Sequence, residues 1–210
     1  MPDVIQIVGY KNSGKTTLAA YLVRYFSGQG KKVGVIKHDG HEFEIDHPGT
    51  DSWRMTQAGA AAVAITSAGK TAIVEEQGRS LEELLVRFEA ADLIIVEGFK
   101  REAYPKIVML RSPEDLPLIQ ASSRIAAVVC WEELLAAVAA GEAGEAVETG
   151  AIGNIGESGK TIEGGNGRRI VQANALHRRL SLPSSVPCFM LGESDRLAQW
   201  LAEQAGNSGH

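Results

Sequence analysis

The sequence predicts an α/β fold with a mostly parallel β-sheet flanked by helices, and two observations support this class. Short apolar runs alternate with helical segments along the chain, which is the pattern of a parallel sheet whose strands are joined by crossover helices. The first apolar run, 4–8, leads into a glycine-rich loop and then into a helix. We therefore expect a single domain over residues 1–210.

Composition narrows the class of protein. The chain has 210 residues, of which 44% are hydrophobic and 22% are charged, and this length and composition suit a globular domain with a sizeable core. Its net charge of −5 gives no general attraction to nucleic acid or an anionic membrane. We find no signal peptide and no apolar run of about 18 residues. The two cysteines, Cys130 and Cys188, have no metal-type spacing. We expect a cytoplasmic protein that binds neither nucleic acid nor membrane.

The individual elements follow from apolar periodicity and from local start and stop signals. The runs 4–8 and 31–37 are strands and 16–26 is a helix, so these segments form a parallel pair with a right-handed crossover. Ser80 and Glu83 have the spacing of a capping box. The other predicted strands are 60–66, 71–76, 92–98, 106–110, 125–131 and 186–191, and the other predicted helices begin near Asp51 or Ser52, cover 80–90, follow Trp131 and cover 193–205.

Composition changes at about residues 141–185. Residues 141–169 hold nine glycines, and no aromatic residue lies between Trp131 and Phe189, so we interpret this segment as a flexible insertion. It contains GNIGESGKT, 153–161, which resembles a phosphate-binding loop in its letters. We reject it as a site, because glycines interrupt both flanks and leave neither a buried strand before it nor a helix after it.

A complete phosphate-binding motif, GYKNSGKT, lies between the first strand and the first helix. Its glycines let backbone N–H groups approach phosphate oxygens, and the helix directs its positive N-terminal end at them. Lys15 can reach the β- and γ-phosphates, and the Thr16 hydroxyl can hold Mg²⁺. The motif therefore predicts a P-loop NTPase. The predicted nucleotide-binding residues are Gly9, Lys11, Asn12, Ser13, Gly14, Lys15, Thr16 and Thr17.

A second magnesium contact is expected from an acid at the end of a neighbouring buried strand. Glu97 follows the apolar run 93–96 and would lie at the carboxyl edge of the sheet, where α/β proteins bind ligands. The alternative is a solvated acid at a strand end. Lys100, Arg101 and Lys106 come shortly afterwards, and they either hold a phosphate or another anionic ligand, or form a solvated basic loop.

The polar loop after the second strand contains His38, His41 and His47 together with Asp46 and Asp51. One interpretation is a switch-like segment, in which Asp46 or Asp51 orients water or the magnesium ion. Another is a transition-metal site, since histidine and carboxylate suit zinc or nickel. A polar surface loop is the third, and the sequence leaves all of them open.

Four stretches occur in a specific order and spacing over about residues 3–135: GYKNSGKTTL, VGVIKHDGHEFEIDHPGTDSWR, AGA and LIIVEGFKREAYPKIVMLR. Together they resemble the MobB family of molybdopterin-guanine dinucleotide biosynthesis adaptor proteins. The resemblance implies a homodimeric protein that binds GTP and Mg²⁺, has at most weak GTPase activity and works beside the molybdopterin guanylyltransferase. Matching these stretches to the family pattern makes residues 9–17 the phosphate site and Glu97 the acid of the second metal-binding motif. Lys37 and His38 match the lysine–histidine pair that the family carries near the end of the second strand.

Two features depart from the family pattern. No NKxD motif for guanine stands at residues 128–133, so guanine preference rests on the resemblance alone. The glycine-rich segment is also longer than the family predicts.

The main alternative function is a metal-insertion GTPase of the nickel-chaperone class, with the histidines carrying metal. A small-molecule kinase ranks last, because the arginine pairs available for a lid, at 168–169 and 178–179, lie in or just past the glycine-rich segment.

Overall fold

The structure is a computed structural model that describes residues 2–40, 43–138, 177, 182–183 and 185–207. The strands are β1 (Asp3–Val8), β2 (Val33–Lys37), β3 (Ala62–Thr66), β4 (Thr71–Glu75), β5 (Leu93–Glu97), β6 (Lys106–Leu110), β7 (Ile125–Cys130) and β8 (Cys188–Met190). The helices are α1 (Lys15–Gly28), α2 (Asp51–Gln57), α3 (Leu81–Arg87), α4 (Pro117–Gln120), α5 (residues 132–138) and α6 (Ser194–Asn207). Short 3₁₀ turns cover Pro113–Asp115 and Leu191–Glu193.

The main sheet confirms the predicted fold class. Among the described residues it has six strands in the order β2-β5-β1-β6-β7-β8, and every neighbouring pair is parallel. All residues of β5 and β6 are buried, as expected for central parallel strands covered on both faces. Because β1 lies between β5 and β6, the loops that follow these three strands meet at one edge of the sheet.

Helices cover both faces of this sheet. On one face α1 and α6 pack against the strands through Leu18, Leu22 and Leu197. The opposite face is covered by α4 and α5 through Leu118 and Leu134, and α3 covers the part of the sheet around β2 and β5. None of the described helices is both long enough and apolar enough to span a membrane.

The remaining two strands form a separate antiparallel hairpin. Strands β3 and β4 pair along their whole length, Ala62 opposite Glu75 and Thr66 opposite Thr71. They occur as predicted, except that the first begins two residues later and the second ends one residue earlier. Among the described residues this hairpin has no pairing with the main sheet.

Local signals placed the start of one helix well and its end less well. The capping box predicted at Ser80 and Glu83 is present, with both reciprocal hydrogen bonds. This helix ends at Arg87 rather than at residue 90, and the Phe88 ring packs against Gly34 of β2 instead.

The predicted insertion at about 141–185 and the sequence GNIGESGKT lie outside the described residues, apart from a few positions after residue 176.

Candidate nucleotide-binding site

The loop between β1 and α1 is closed tightly by its glycines. A Cβ atom at Gly9 would lie 2.3 Å from the Ser13 hydroxyl and 3.2 Å from Met109, so any side chain there would force these groups to shift. Gly14 has a φ of 91° and is the N-cap of α1, a conformation that favours glycine. Ser13 is buried, and its hydroxyl has no hydrogen-bond partner among the described residues. A buried hydroxyl without a partner is costly.

The first turn of α1 is open to an anion. Gly14 provides no side-chain cap, and the first turn carries no acidic residue. The N–H groups at the positive end of a 14-residue helix are therefore available to phosphate oxygens. The other predicted binding residues line this entrance, with Lys11, Asn12, Thr16 and Thr17 exposed and Lys15 half-buried.

Lys15 extends along the loop, and its Nζ donates a hydrogen bond to the Tyr10 carbonyl oxygen at 2.6 Å. Its pKa is lowered, mainly because the ammonium is partly buried. Glu97 opposes this shift, whereas the ammonium groups of Lys100 and Lys37 add to it. An anion bound among these three lysines would relieve their mutual repulsion.

Thr16 and Glu97, predicted as the two magnesium contacts, lie together. The Thr16 hydroxyl is 3.0 and 3.1 Å from the two carboxylate oxygens of Glu97, because β1 and β5 are parallel neighbours with Ile7 opposite Glu97. Glu97 is only 6% exposed, so it is not a solvated acid. Lys37, its neighbour on β2, lies 3.7 Å away. Hydroxyl and carboxylate oxygens are the kind of donors that Mg²⁺ prefers.

The two aspartates proposed for a switch role have only local contacts in the described structure. Asp46 accepts hydrogen bonds from the His47 N–H at 2.9 Å and the Thr50 hydroxyl at 2.8 Å. Hydrogen bonds from Ser52 and Thr50 lower the pKa of Asp46. Asp51 is highly exposed and lies 3.9 Å from Arg54. These contacts shape the turn that leads into α2, and none of them reaches Thr16 or Glu97.

The histidines are not gathered into a metal site in the part of the chain that the structure describes. The ring of His38 packs against Phe99, with centroids 4.5 Å apart. The backbone N–H of His38 donates to the Glu97 carbonyl. His41 lies outside the described residues. Within the described residues, no group of three or more histidine, cysteine or acidic side chains is arranged to hold a metal ion.

The basic cluster after β5 divides into two parts. Lys100 is exposed, and its ammonium lies 4.4 Å from the centre of the Tyr10 ring, beside the P-loop. Lys106 is fully buried instead, and donates hydrogen bonds to the carbonyl oxygens of Glu102 and Tyr104. Both interpretations of Lys106, as an anion ligand and as part of a solvated loop, are therefore wrong, because the first position of β6 faces inward.

One residue that organises this edge was not singled out from the sequence. Gln6 in β1 is fully buried, and its side-chain amide donates to the carbonyl oxygens of Gly98 and Phe99 at 3.2 and 2.9 Å. Its side-chain oxygen accepts from the Tyr104 N–H. These bonds hold the loop that follows Glu97. The available signal was a single polar residue inside the apolar run 4–8.

A parallel sheet with this loop between β1 and α1, and with a buried acid at the end of the adjacent strand, defines the P-loop NTPase class. Residues 4–131 match the family model of MobB, described as molybdopterin guanine dinucleotide synthesis protein B. The chain therefore belongs to the MobB family, which confirms the resemblance noted in the sequence.

Individual relatives agree with this assignment. The chain is 38% identical over 129 residues to the molybdopterin-guanine dinucleotide biosynthesis adapter protein of Haemophilus influenzae, covering 60% of this chain and 72% of that protein. Its structure is similar to that of a MobB protein homolog from Bacillus stearothermophilus, with a TM-score of 0.60 and 26% identity over 97% of this chain and 98% of that one. The Bacillus subtilis MobB structure gives a TM-score of 0.52 at 34% identity, covering 61% and 79%.

Proposed function

We propose that this protein binds GTP with Mg²⁺ at the loop of residues 9–17 and acts as an adaptor in molybdopterin-guanine dinucleotide biosynthesis. The main support is the contact of Thr16 with the buried Glu97 beside the open N-terminus of α1. Family membership supports the pathway. No described observation favours the metal-insertion alternative.

In this proposal each group has a separate task. Backbone N–H groups at the start of α1 hold the phosphates, and Lys15 leaves the Tyr10 carbonyl to contact them. Thr16 and Glu97 hold the magnesium ion, which neutralises phosphate charge when it is bound. Efficient GTPases add a residue that orients water and an arginine finger. The sequence predicts neither, so we propose at most weak GTPase activity.

The preference for guanine is the part of the proposal that depends most on the family. No NKxD motif is present, and Trp131 and Glu132 follow β7 where such a motif would stand. Calorimetric titration of the wild-type chain with GTP and with ATP, each with and without Mg²⁺, tests this point. We expect tighter binding of GTP and a clear gain from Mg²⁺. Equal binding of ATP would contradict guanine selectivity, and no binding of either would contradict the site.

The proposed partners are the molybdopterin guanylyltransferase and a second copy of this chain, in the cytoplasm, where the two free cysteines would stay reduced. The hairpin offers apolar contacts for the second copy on both of its faces, because Ile65 and Ile73 are 51% and 59% exposed and the register, with Ile65 opposite Ala72 and Ile73 opposite Ala64, places them on opposite faces. Sedimentation of the wild type against an Ile65→Lys, Ile73→Lys variant tests dimerisation. We expect a dimer that the variant disrupts, and a monomeric wild type would contradict it.

The adaptor role itself requires a binding experiment with the partner enzyme. The wild-type chain and a Lys15→Ala variant would be used to capture purified molybdopterin guanylyltransferase, with and without GTP. Capture by the wild type and a stimulated guanylyltransferase reaction are the expected results. Failure to bind the enzyme or to change its activity under either condition would contradict the adaptor role.

A further inference from the structure

Two side chains that follow the neighbouring strands donate hydrogen bonds to the backbone of the P-loop. Arg111 follows β6, and its Nη1 donates a hydrogen bond to the carbonyl oxygen of Asn12 at 3.1 Å. Trp131 follows β7, and its Nε1 donates to the carbonyl oxygen of Ser13 at 3.0 Å. Two consecutive carbonyl groups in the middle of the loop are thus held by side chains from other parts of the sheet.

The two side chains also support each other and are anchored to the fold. The guanidinium of Arg111 lies 4.8 Å from the centre of the Trp131 ring, within the range of a cation–π interaction. The buried carboxylate of Asp115 accepts hydrogen bonds from the backbone N–H groups of Arg111, at 2.6 Å, and Ser112, at 3.2 Å. Arg111 and Trp131 therefore have a defined position relative to the loop.

Peptide geometry gives these contacts a consequence for ligand binding. No cis peptide bond occurs among the described residues, and in a trans peptide the carbonyl and the following N–H point in opposite directions. Because Trp131 holds the Ser13 carbonyl, the Gly14 N–H points the opposite way, away from Trp131. Asn12 has a φ of 62°, a left-handed conformation that few non-glycine residues adopt and that asparagine adopts more readily than most. External contacts help to keep the loop in this conformation.

We infer that Arg111 and Trp131 are positioning residues that hold the P-loop in its phosphate-binding conformation. The inference rests on the proposed function, because it concerns the same nucleotide site. Both side chains act through the backbone of Asn12 and Ser13. This role requires no contact between either side chain and the nucleotide.

Three variants separate the contributions of the pair. Arg111→Met removes the hydrogen bond and the cation but keeps a long side chain. Arg111→Lys restores a cation over the ring. Trp131→Phe keeps a smaller aromatic ring and removes the N–H donor. Arg124→Met is a matched control, since Arg124 also donates to a loop carbonyl, that of Ala103 at 2.9 Å, but precedes β7 and so lies at the opposite edge of the sheet.

Affinities for GDP and GTP would be measured by calorimetry, with circular dichroism to confirm that each variant is folded. Arg111→Met and Trp131→Phe should each weaken binding about 3- to 10-fold, which corresponds to one lost hydrogen bond. The fold-decrease in affinity should be the same for GDP and GTP, because the loop surrounds the α- and β-phosphates that both nucleotides share. Arg111→Lys should recover part of the loss, and Arg124→Met should bind as the wild type does.

A double variant adds a readout that general destabilisation would not produce. Because Arg111 and Trp131 form one unit, Arg111→Met should cost less affinity in the Trp131→Phe background than in the wild type. Additive losses would contradict a joint role.

The outcomes distinguish this inference from the proposed function. A wild type that binds neither GDP nor GTP would overturn the proposed function. A wild type that binds both, with folded Arg111 and Trp131 variants of unchanged affinity, would overturn the inference alone. A loss confined to GTP in Arg111→Met, with Trp131→Phe unaffected, would make Arg111 a γ-phosphate ligand and so also overturn its positioning role.

Discussion

The carboxyl edge of the main sheet and the β3–β4 hairpin differ in almost every physical respect. At the sheet edge, β5 is buried along its whole length and ends in Glu97, which contacts side chains from β2 and α1. In the hairpin most residues are exposed, including Ile65 and Ile73. A two-stranded sheet alone is only marginally stable, and ion pairs from Glu75 to Arg79 and Arg87 connect this one to α3.

This difference indicates how the chain divides its tasks. The buried edge holds charged and hydroxyl groups at fixed distances, which a metal–nucleotide site requires. The hairpin leaves Ile65 and Ile73 exposed, and we propose that a second copy covers them. Substitutions of the same chemical type in the two regions should therefore have different effects.

The largest contrast is expected between two lysines. Lys15→Ala should weaken GTP binding at least about 100-fold, since each hydrogen bond to a charged group contributes about 1.5–3 kcal/mol. Lys70→Ala, at the turn of the hairpin, should leave the affinity unchanged. Calorimetric titration of both folded variants with GTP measures the two affinities. Equal affinities for the two variants would break the assignment of nucleotide binding to the sheet edge.

Core truncation should distinguish the regions in stability. Ile95→Ala should lower the free energy of unfolding by about 2–5 kcal/mol, because Ile95 is fully buried in β5. Ile73→Ala in the hairpin should change it by less than about 0.5 kcal/mol. Denaturant unfolding measures both values. A loss for Ile73→Ala that grows with protein concentration would sharpen the comparison, by indicating that a second copy covers the hairpin.

A smaller effect is expected at the acids that end the strands. Glu97→Gln should reduce the gain in GTP affinity from Mg²⁺ by about 10-fold, because it removes a charged metal ligand. Glu76→Gln, just after β4, is the control and should leave this gain unchanged. The measurement is GTP affinity with Mg²⁺ and with EDTA. If the magnesium dependence survives in Glu97→Gln, this acid is not the second metal contact.

The smallest effect concerns the pH dependence of the hairpin. Hydrogen bonds from Arg79 and Arg87 lower the pKa of Glu75 to about 2. The depressed pKa means that the interaction stabilises the fold above the unfolded-state pKa of about 4.3, and that this contribution disappears as the pH falls to about 2. Glu75→Gln should therefore have a lower Tm than the wild type at pH 7. The difference should shrink with acidification, and a constant difference would contradict the ion-pair account.

The sequence predicted much of this structure where the signal was local. The motif at residues 9–16 lies between a buried strand and a helix, and both elements formed as expected. The capping box at Ser80 and Glu83 needed only three residues of separation. Glu97 could be singled out because it ends a wholly apolar run. These patterns depend on neighbours in the chain, so they are visible without a fold.

Contacts between distant segments could not be predicted in this way. Arg111 and Trp131 reach the P-loop across 99 and 118 residues of sequence. Lys106 belongs to a charged stretch that looks exposed, yet it is buried against two carbonyl groups. Which strands become neighbours depends on the whole sheet, and no local pattern encodes it.

The sequence by itself determined the class of protein, the position of the P-loop and the acid that ends the buried strand β5, because each of these is a local pattern. Only the tertiary structure decided that Glu97 meets Thr16, that Gln6 holds the loop after β5, and that Arg111 and Trp131 contact the P-loop. The physical reason is the strand order β5-β1-β6-β7. It brings the carboxyl ends of four strands, distant in sequence, to one edge of one sheet.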